Sequence, residues 1–387
     1  MVSILSRRKT DALQRYLDYN ATCPPVEAAL EAMLKAAREA PGNPSSLHWA
    51  GRAARRIVDD ARDRLAGFVG ADAGSVVFTS GGTEANNLAI HGFLAGQKPG
   101  RVVVSEIEHP AVLRPLERWA ESGWEVVTIR PGRDGVVSAD AVAEAVDDNT
   151  RLVCLQAANN ETGAVQPVAE VGALCRERDA AFLVDAVQVL GKADVNIREW
   201  HADFVSLSGH KIGGPKGVGA LLVRRGVSLS EMLSGGGQER KRRSGTENVP
   251  GIAGFAAALG ANDFSTARPI RDGFEDALKQ RLPKVRIFSE EVERVPNTSM
   301  FCMPGLDGET LLMQLDLAGF AVASGSACSS GKRDPSHVLL AMGCSHGEAR
   351  SSVRVSFGPE NRPEDASALV DELVRIRERL MTMAGVA

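Results

Sequence analysis

Between residues 75 and 225, short apolar runs recur at close intervals: "SVVFTS", "RVVVSE", "EVVTI", "RLVCLQAA", "AAFLVD", "DFVSLS" and "GALLVRR". They carry little polar alternation, which suits strands buried on both faces. Amphipathic stretches such as "AVLRPLERWAESG" and "PVAEVGALCRERDAA" lie between several of them and read as helices. Strand and helix in alternation confine the chain to an α/β fold with a mostly parallel sheet. Ligands in such sheets bind beyond the carboxyl ends of the strands. The polar residues that close each run are therefore the ones to examine.

Past about residue 265 the rhythm changes. "IRDGFEDALKQRL", "GETLLMQLDLAG" and "PEDASALVDELVRIRERLMTMA" read as helices, and "KVRIFS", "TSMFCM", "AVASG" and "SVRVSFG" as strands. A smaller α+β unit is expected there.

Composition narrows the function classes. The chain has 387 residues, and its net charge of -4 disfavours a general nucleic-acid binder. Runs approaching the roughly 18 apolar residues of a membrane span are absent. The N-terminal "MVSILSRRKT" does not read as a secretory signal. The six cysteines show no CxxC pairing, so neither a disulfide framework nor a structural zinc site is expected. A reducing, cytoplasmic compartment fits. Cys154, Cys175 and Cys302 sit in apolar patterns and read as buried filler. Cys328 differs: in "VASGSACSSGKRD" it stands among Gly, Ser and charged residues.

Three strand ends carry chemistry. In "FTSGGTEANN", Gly81, Gly82 and Thr83 lead into a helix, where backbone N–H groups can hold a phosphate; an ordinary turn capped by Thr83 is the plainer alternative. In "AAFLVDAVQ", an apolar strand delivers Asp185, followed by Gln188. A buried carboxylate needs a partner, either a helix N-terminus, an Arg or a cofactor cation. In "DFVSLSGHKIGGPKG", Ser208, His210 and Lys211 end a strand beside glycines. A desolvated lysine there is an imine-forming nucleophile, and an exposed loop lysine is the common alternative. Together the three match the phosphate, ring nitrogen and aldehyde of pyridoxal 5'-phosphate.

With these residues in view, the sequence resembles the NifS/IscS-type cysteine desulfurases, class V aminotransferase relatives of pyridoxal-phosphate fold type I. "YLDYNATCPP", "GNPSSLHWAGRAAR", "FTSGGTEANN", "EHPAV", "NNETG", "VDAVQ", "SGHKIGGPKGVG", "GGGQERKRRSGTENV", "ASGSACSSG" and "SSVRVSFG" follow the family's order across nearly the whole chain. The resemblance implies a large domain over residues 16–262 with a mostly parallel seven-stranded sheet. Residues 1–15 and 263–387 would form a small α+β domain carrying the cysteine loop.

It also implies roles. Lys211 would bind the cofactor as an imine, Asp185 would pair with the ring nitrogen, and Gln188 would bond the ring hydroxyl. His109 would stack on the ring and shuttle protons. Gly82, Thr83, Ser208 and His210 would bind the phosphate, joined by Thr246 from the other subunit of a homodimer. Asn160 and Arg354 would hold the substrate carboxylate. L-cysteine would yield L-alanine and a persulfide on Cys328, passed to a sulfur acceptor such as an iron–sulfur scaffold or a thiolation protein.

A selenocysteine lyase or an aminotransferase of the same fold is the alternative, and an aminotransferase has no use for Cys328. A non-catalytic scaffold would be free to lose Lys211, Asp185 or Cys328, all of which are present. His48, His91, His201, His337 and His346 read as structural or solvent-facing. Arg240, Lys241, Arg242 and Arg243 are too few to mark a nucleic-acid patch. Cys23 and Tyr19 depart from the family pattern and make Cys23 a second thiol to follow. The sequence stops soon after its last helix, without the longer tail by which some iron–sulfur members of the family meet a scaffold, so the resemblance leaves the acceptor open between a scaffold, a tRNA-thiolation protein and another carrier.

Overall fold

The computed structural model describes residues 14–324 and 335–383. In chain order the strands are β1 (Arg15–Tyr16), β2 (Val76–Thr79), β3 (Arg101–Ser105), β4 (Glu125–Ile129), β5 (Thr150–Gln156), β6 (Ala181–Asp185), β7 (Phe204–Ser208), β8 (Gly219–Val223), β9 (Arg286–Ile287), β10 (Thr298–Cys302), β11 (Phe320–Ala321) and β12 (Ser352–Ser356). The seven apolar runs become one seven-stranded sheet ordered β2-β8-β7-β6-β5-β3-β4. Only β8 opposes the rest, lying antiparallel to both β2 and β7.

Consecutive residues of these strands feed two cores. Phe78, Val103, Val153, Phe182, Val205 and Leu222 pack on one face. Val77, Val102, Leu152, Leu183, Phe204 and Leu221 pack on the other. A strand wrapped in helices on both sides has no use for polar alternation, which is why its sequence reads as an unbroken apolar run. The edge strand β4 is partly exposed along its length, and there Glu125 and Thr128 interrupt the run.

A second assembly holds the three-stranded antiparallel sheet β12-β10-β9, the parallel pair β1-β11, and the helices Ala267–Arg281 and Pro363–Met383. Its core gathers Phe274, Phe301, Leu315, Phe357, Leu369 and Leu17. The expected strand at "AVASG" is reduced to β11 and one bridge from Ala323 to Arg354. β12 meets the large sheet's carboxyl edge through Arg354, which donates to the carbonyl of Asn160, just beyond the end of β5.

Candidate active site

At that edge a cavity of about 290 Å³ is lined by Lys211, His109, Asp185, Gln188, Gly82, Thr83, Ser208, His210, Asn160 and Arg354, with Asn20, Asn86 and Gln156 among its other walls. Ten of the twelve expected site residues thus share one space. Cys328 lies outside the described residues. Thr246 is exposed and is not part of the lining.

Asp185 is the last residue of β6 and is buried. Its carboxylate accepts from Asn86 Nδ2 at 2.7 Å and from the Val187 N–H at 3.0 Å. No cation pairs with it among the described residues. Ser208 closes β7, and its Oγ is buried without a partner among the described residues. Lys211 ends the 3-10 turn Gly209–Lys211, with Nζ donating to the carbonyl oxygens of Asn20 (2.6 Å) and Ala21 (2.9 Å).

The helix Gly82–Leu94 points its first turn at the same region. Gly81 occupies the N-cap and offers no side chain, so Thr83 is not the cap and the first N–H groups have no side-chain acceptor there. A second, open cleft shared with Gly82, Thr83, Ser208 and His210 reaches this helix end. The backbone of the helix start and the Ser208 hydroxyl thus offer donors that could hold an anion.

His109 caps the helix Pro110–Glu121, its Nδ1 accepting from the Ala111 N–H at 3.0 Å. The ring proton therefore sits on Nε2. Burial holds the imidazole below its ordinary pKa; Asp185 opposes this, while Lys211 and His337 add to it. The ring is neutral near pH 7. His210 is pushed down to about 4 by burial, with Lys211 and Lys216 contributing.

Arg354 is buried in β12 and donates to Asp18 Oδ1 at 2.7 Å and to the Asn160 carbonyl at 3.0 Å, while its Nε has no partner among the described residues. It is no strand-edge surface charge. Cys23 is buried; burial pushes its thiol up to about 11, and Asn262 Nδ2 donates to its sulfur at 3.4 Å. Burial thus favours the protonated thiol of Cys23 over the thiolate. The basic run is absorbed locally: Arg240 donates to the Ala73 carbonyl, Arg242 to that of Gly74, and Arg243 to Glu84.

Sequence reading missed Asn20, Asn86, Gln156 and Lys192. Asn20 is the hub. Its backbone carbonyl takes Lys211 Nζ and Gln188 Nε2, and its side chain joins Asn160, Thr298, Asn297 and Lys192. Its place in "YLDYNATC" gave a signal only through proximity to the segment's unusual Tyr19 and Cys23.

Comparison with known proteins adds to the geometry. The model of the class-V aminotransferase family matches residues 15–369. "Cysteine desulfurase IscS" of Dictyoglomus turgidum is 38% identical over 95% of this chain and 96% of its own. "Putative cysteine desulfurase IscS 1" of Bacillus subtilis is 41% identical over 94% of this chain and 99% of its own. A solved structure titled "NIFS-LIKE PROTEIN" superposes with a TM-score of 0.88 at 31% identity, covering 95% of this chain and all of that one (100%).

Proposed function

This chain belongs to the class-V aminotransferase family, as one of its NifS/IscS-type cysteine desulfurases, and from that premise we propose how its residues take sulfur from L-cysteine with pyridoxal 5'-phosphate as cofactor. The products are L-alanine and a persulfide on Cys328. The observation that carries the reading is the meeting of Lys211, Asp185 and the unpartnered Ser208 hydroxyl in one cavity.

The residues present fit the cofactor. The uncapped helix start at Gly82 and Thr83, with Ser208 and His210, suits a phosphate. Asp185, a buried carboxylate bonded only to N–H donors, suits a protonated ring nitrogen. Lys211 Nζ would carry the aldehyde carbon, and Gln188 would bond the ring hydroxyl. Thr246, exposed in its own chain, would complete the phosphate site of the other copy in a homodimer. When bound, the cofactor supplies an electron sink for negative charge at the substrate Cα.

The chain's own residues do the rest. Arg354 and Asn160 hold the substrate carboxylate, and Arg354 Nε is still without a partner. Lys211 takes the Cα proton. His109 is neutral with its proton on Nε2, so it can donate there and then accept a proton from a thiol. Cys328 as thiolate attacks the substrate sulfur, making the S–S bond as the Cβ–S bond breaks. Cysteine plus thiol becomes alanine plus persulfide, so the reaction balances without an external oxidant.

The persulfide passes to an acceptor protein, for which an iron–sulfur scaffold is our choice, in a reducing cytoplasm. No described helix is long and apolar enough to cross a membrane. We retain residues 16–262 as the cofactor-binding domain and the remainder as the domain carrying Cys328.

Two variants test the reading. Lys211→Ala should lose both the visible absorbance band of the bound cofactor and all turnover. Cys328→Ala should keep the band yet release no alanine from cysteine. Full alanine release by Cys328→Ala would overturn the proposed nucleophile.

A further inference from the structure

Lys192 plays no part in the chemistry above, yet it is buried, and no carboxylate pairs with it among the described residues. Its Nζ donates to Asn20 Oδ1 at 2.8 Å and to Gln188 Oε1 at 2.9 Å, and lies 5.5 Å from the centre of the Phe264 ring. Burial holds its pKa well below the ordinary lysine value; Lys211 and Arg354 reinforce this and Cys23 opposes it. Placing an amine there without a counter-ion is unfavourable, and an apolar side chain would pack at lower cost.

The hydrogen bonds around Lys192 have one consistent polarity. The Phe357 carbonyl can only accept, which fixes Asn297 with Nδ2 towards it at 3.0 Å. Asn297 Nδ2 also donates to Asn20 Oδ1 at 3.1 Å, and Asn20 Nδ2 donates to the Asn160 carbonyl at 3.1 Å. Asn20 Oδ1 is therefore an acceptor, and Lys192 is the donor to it. The same ammonium or amine head donates to Gln188 Oε1 and so occupies that oxygen of a side chain that lines the cavity. Gln188 Nε2 donates one N–H to the Asn20 carbonyl at 3.0 Å, an oxygen that already takes Lys211 Nζ. An amide nitrogen carries two N–H bonds, so among the described residues one N–H of Gln188, a residue that lines the cavity, is left over beyond the bond to Asn20.

We propose that Lys192 is a positioning residue that fixes the Gln188 amide so that an N–H, not the carbonyl oxygen, meets the ring oxygen of the cofactor. The inference rests on the cofactor reading given above. An N–H at that oxygen favours its deprotonated form and lowers the pH at which the bound chromophore titrates. Without Lys192, Gln188 Oε1 is a buried acceptor with no donor, and the amide is driven to reorient.

The test follows the visible band of the holoenzyme against pH in four proteins: the parent, Lys192→Met, Gln188→Ala and the double variant. Each single variant should raise the titration midpoint by about one unit, tenfold in proton affinity. The double variant should rise no further than Gln188→Ala alone, because both changes remove the same N–H. An unchanged midpoint in Lys192→Met overturns the inference. So does a Lys192→Met shift that adds to that of Gln188→Ala, which would mean that the lysine acts through its own charge. If Lys192→Met does not fold, Lys192→Ala takes its place in the same cycle and is read in the same way. A parent protein that never acquires the band refutes the cofactor reading itself, an outcome distinct from either of these.

Discussion

Replacing Asp185 by Asn keeps the shape of the side chain and removes its charge. The Asp185 carboxylate accepts from two donors, Asn86 Nδ2 at 2.7 Å and the Val187 N–H at 3.0 Å. An Asn at this position has one acceptor and one NH2, so one of those contacts becomes donor against donor. The neighbourhood can repair this. Asn86 Oδ1 is buried without a partner, and a flip of the Asn86 amide turns that oxygen towards the new NH2. Both polar contacts survive, and a buried charge without a cation is gone. The cofactor-free variant should therefore melt at or above the parent's temperature. The loaded enzyme should lose a charge-assisted hydrogen bond, worth about 1.5–3 kcal/mol. In affinity that is about 10- to 150-fold. Titrating purified apoprotein with pyridoxal 5'-phosphate, and melting it with and without the cofactor, reads both quantities. An apoprotein that melts several degrees lower, with cofactor affinity unchanged, would refute the reasoning and make Asp185 a structural residue.

Ser208→Ala deletes a buried hydroxyl that has no partner, so the cofactor-free protein should be unchanged or slightly more stable, while affinity for the cofactor falls about tenfold; thermal melts and cofactor titration check the pair. Glu161 is buried and accepts from Ser336 Oγ, and burial raises its pKa from 4.5 to about 7, with Ser336 and Arg354 opposing. Its folded value exceeds its unfolded value, so the folded chain holds the extra proton between those limits. The resulting stability is full below pH 4.5 and is lost as pH rises through about 7. That contribution is at most about 3 kcal/mol. Denaturation of the parent and of Glu161→Gln at pH 5 and pH 8 should show the parent losing more stability across the interval, and equal losses would rule this out.

The large sheet was legible because its strands are buried on both faces, which leaves little freedom in their composition. The site was legible where chemistry coincides with a strand end, as at Asp185 and Ser208, the final residues of β6 and β7. Two-residue strands were harder. Nothing in "RY" or "FA" demands β1 or β11, since the pairing of Arg15 with Phe320 and Tyr16 with Ala321 creates both. Lys192 was illegible for a related reason. Alone in "VLGKADV" it has the look of a surface lysine, and only Asn20, Gln188 and Phe264 give it an interior. Asn20 makes contacts from 140 to 278 positions away through its side-chain amide, which no local pattern encodes.

The cavity's unpaired atoms bear on why the site needs a ligand at all. Ser208 Oγ, Asn86 Oδ1 and Arg354 Nε are all buried without partners among the described residues, and all three residues line the same space. A buried polar atom left unpaired costs about 1–3 kcal/mol. Water entering the cavity relieves part of that cost at all three. They cannot be dismissed as loose packing, because the neighbouring Asp185, Gln188, Lys192 and Asn20 are bonded with short, consistent geometry. A cavity bonded closely on one side, with donors and acceptors open on the other, offers a polar ligand fixed partners. The ligand's binding energy then counts towards folding, since whatever binds the native state alone stabilises it. On the proposed function, Asp185, Ser208 and Arg354 would hold their arrangement at a stability cost that bound cofactor and substrate would offset.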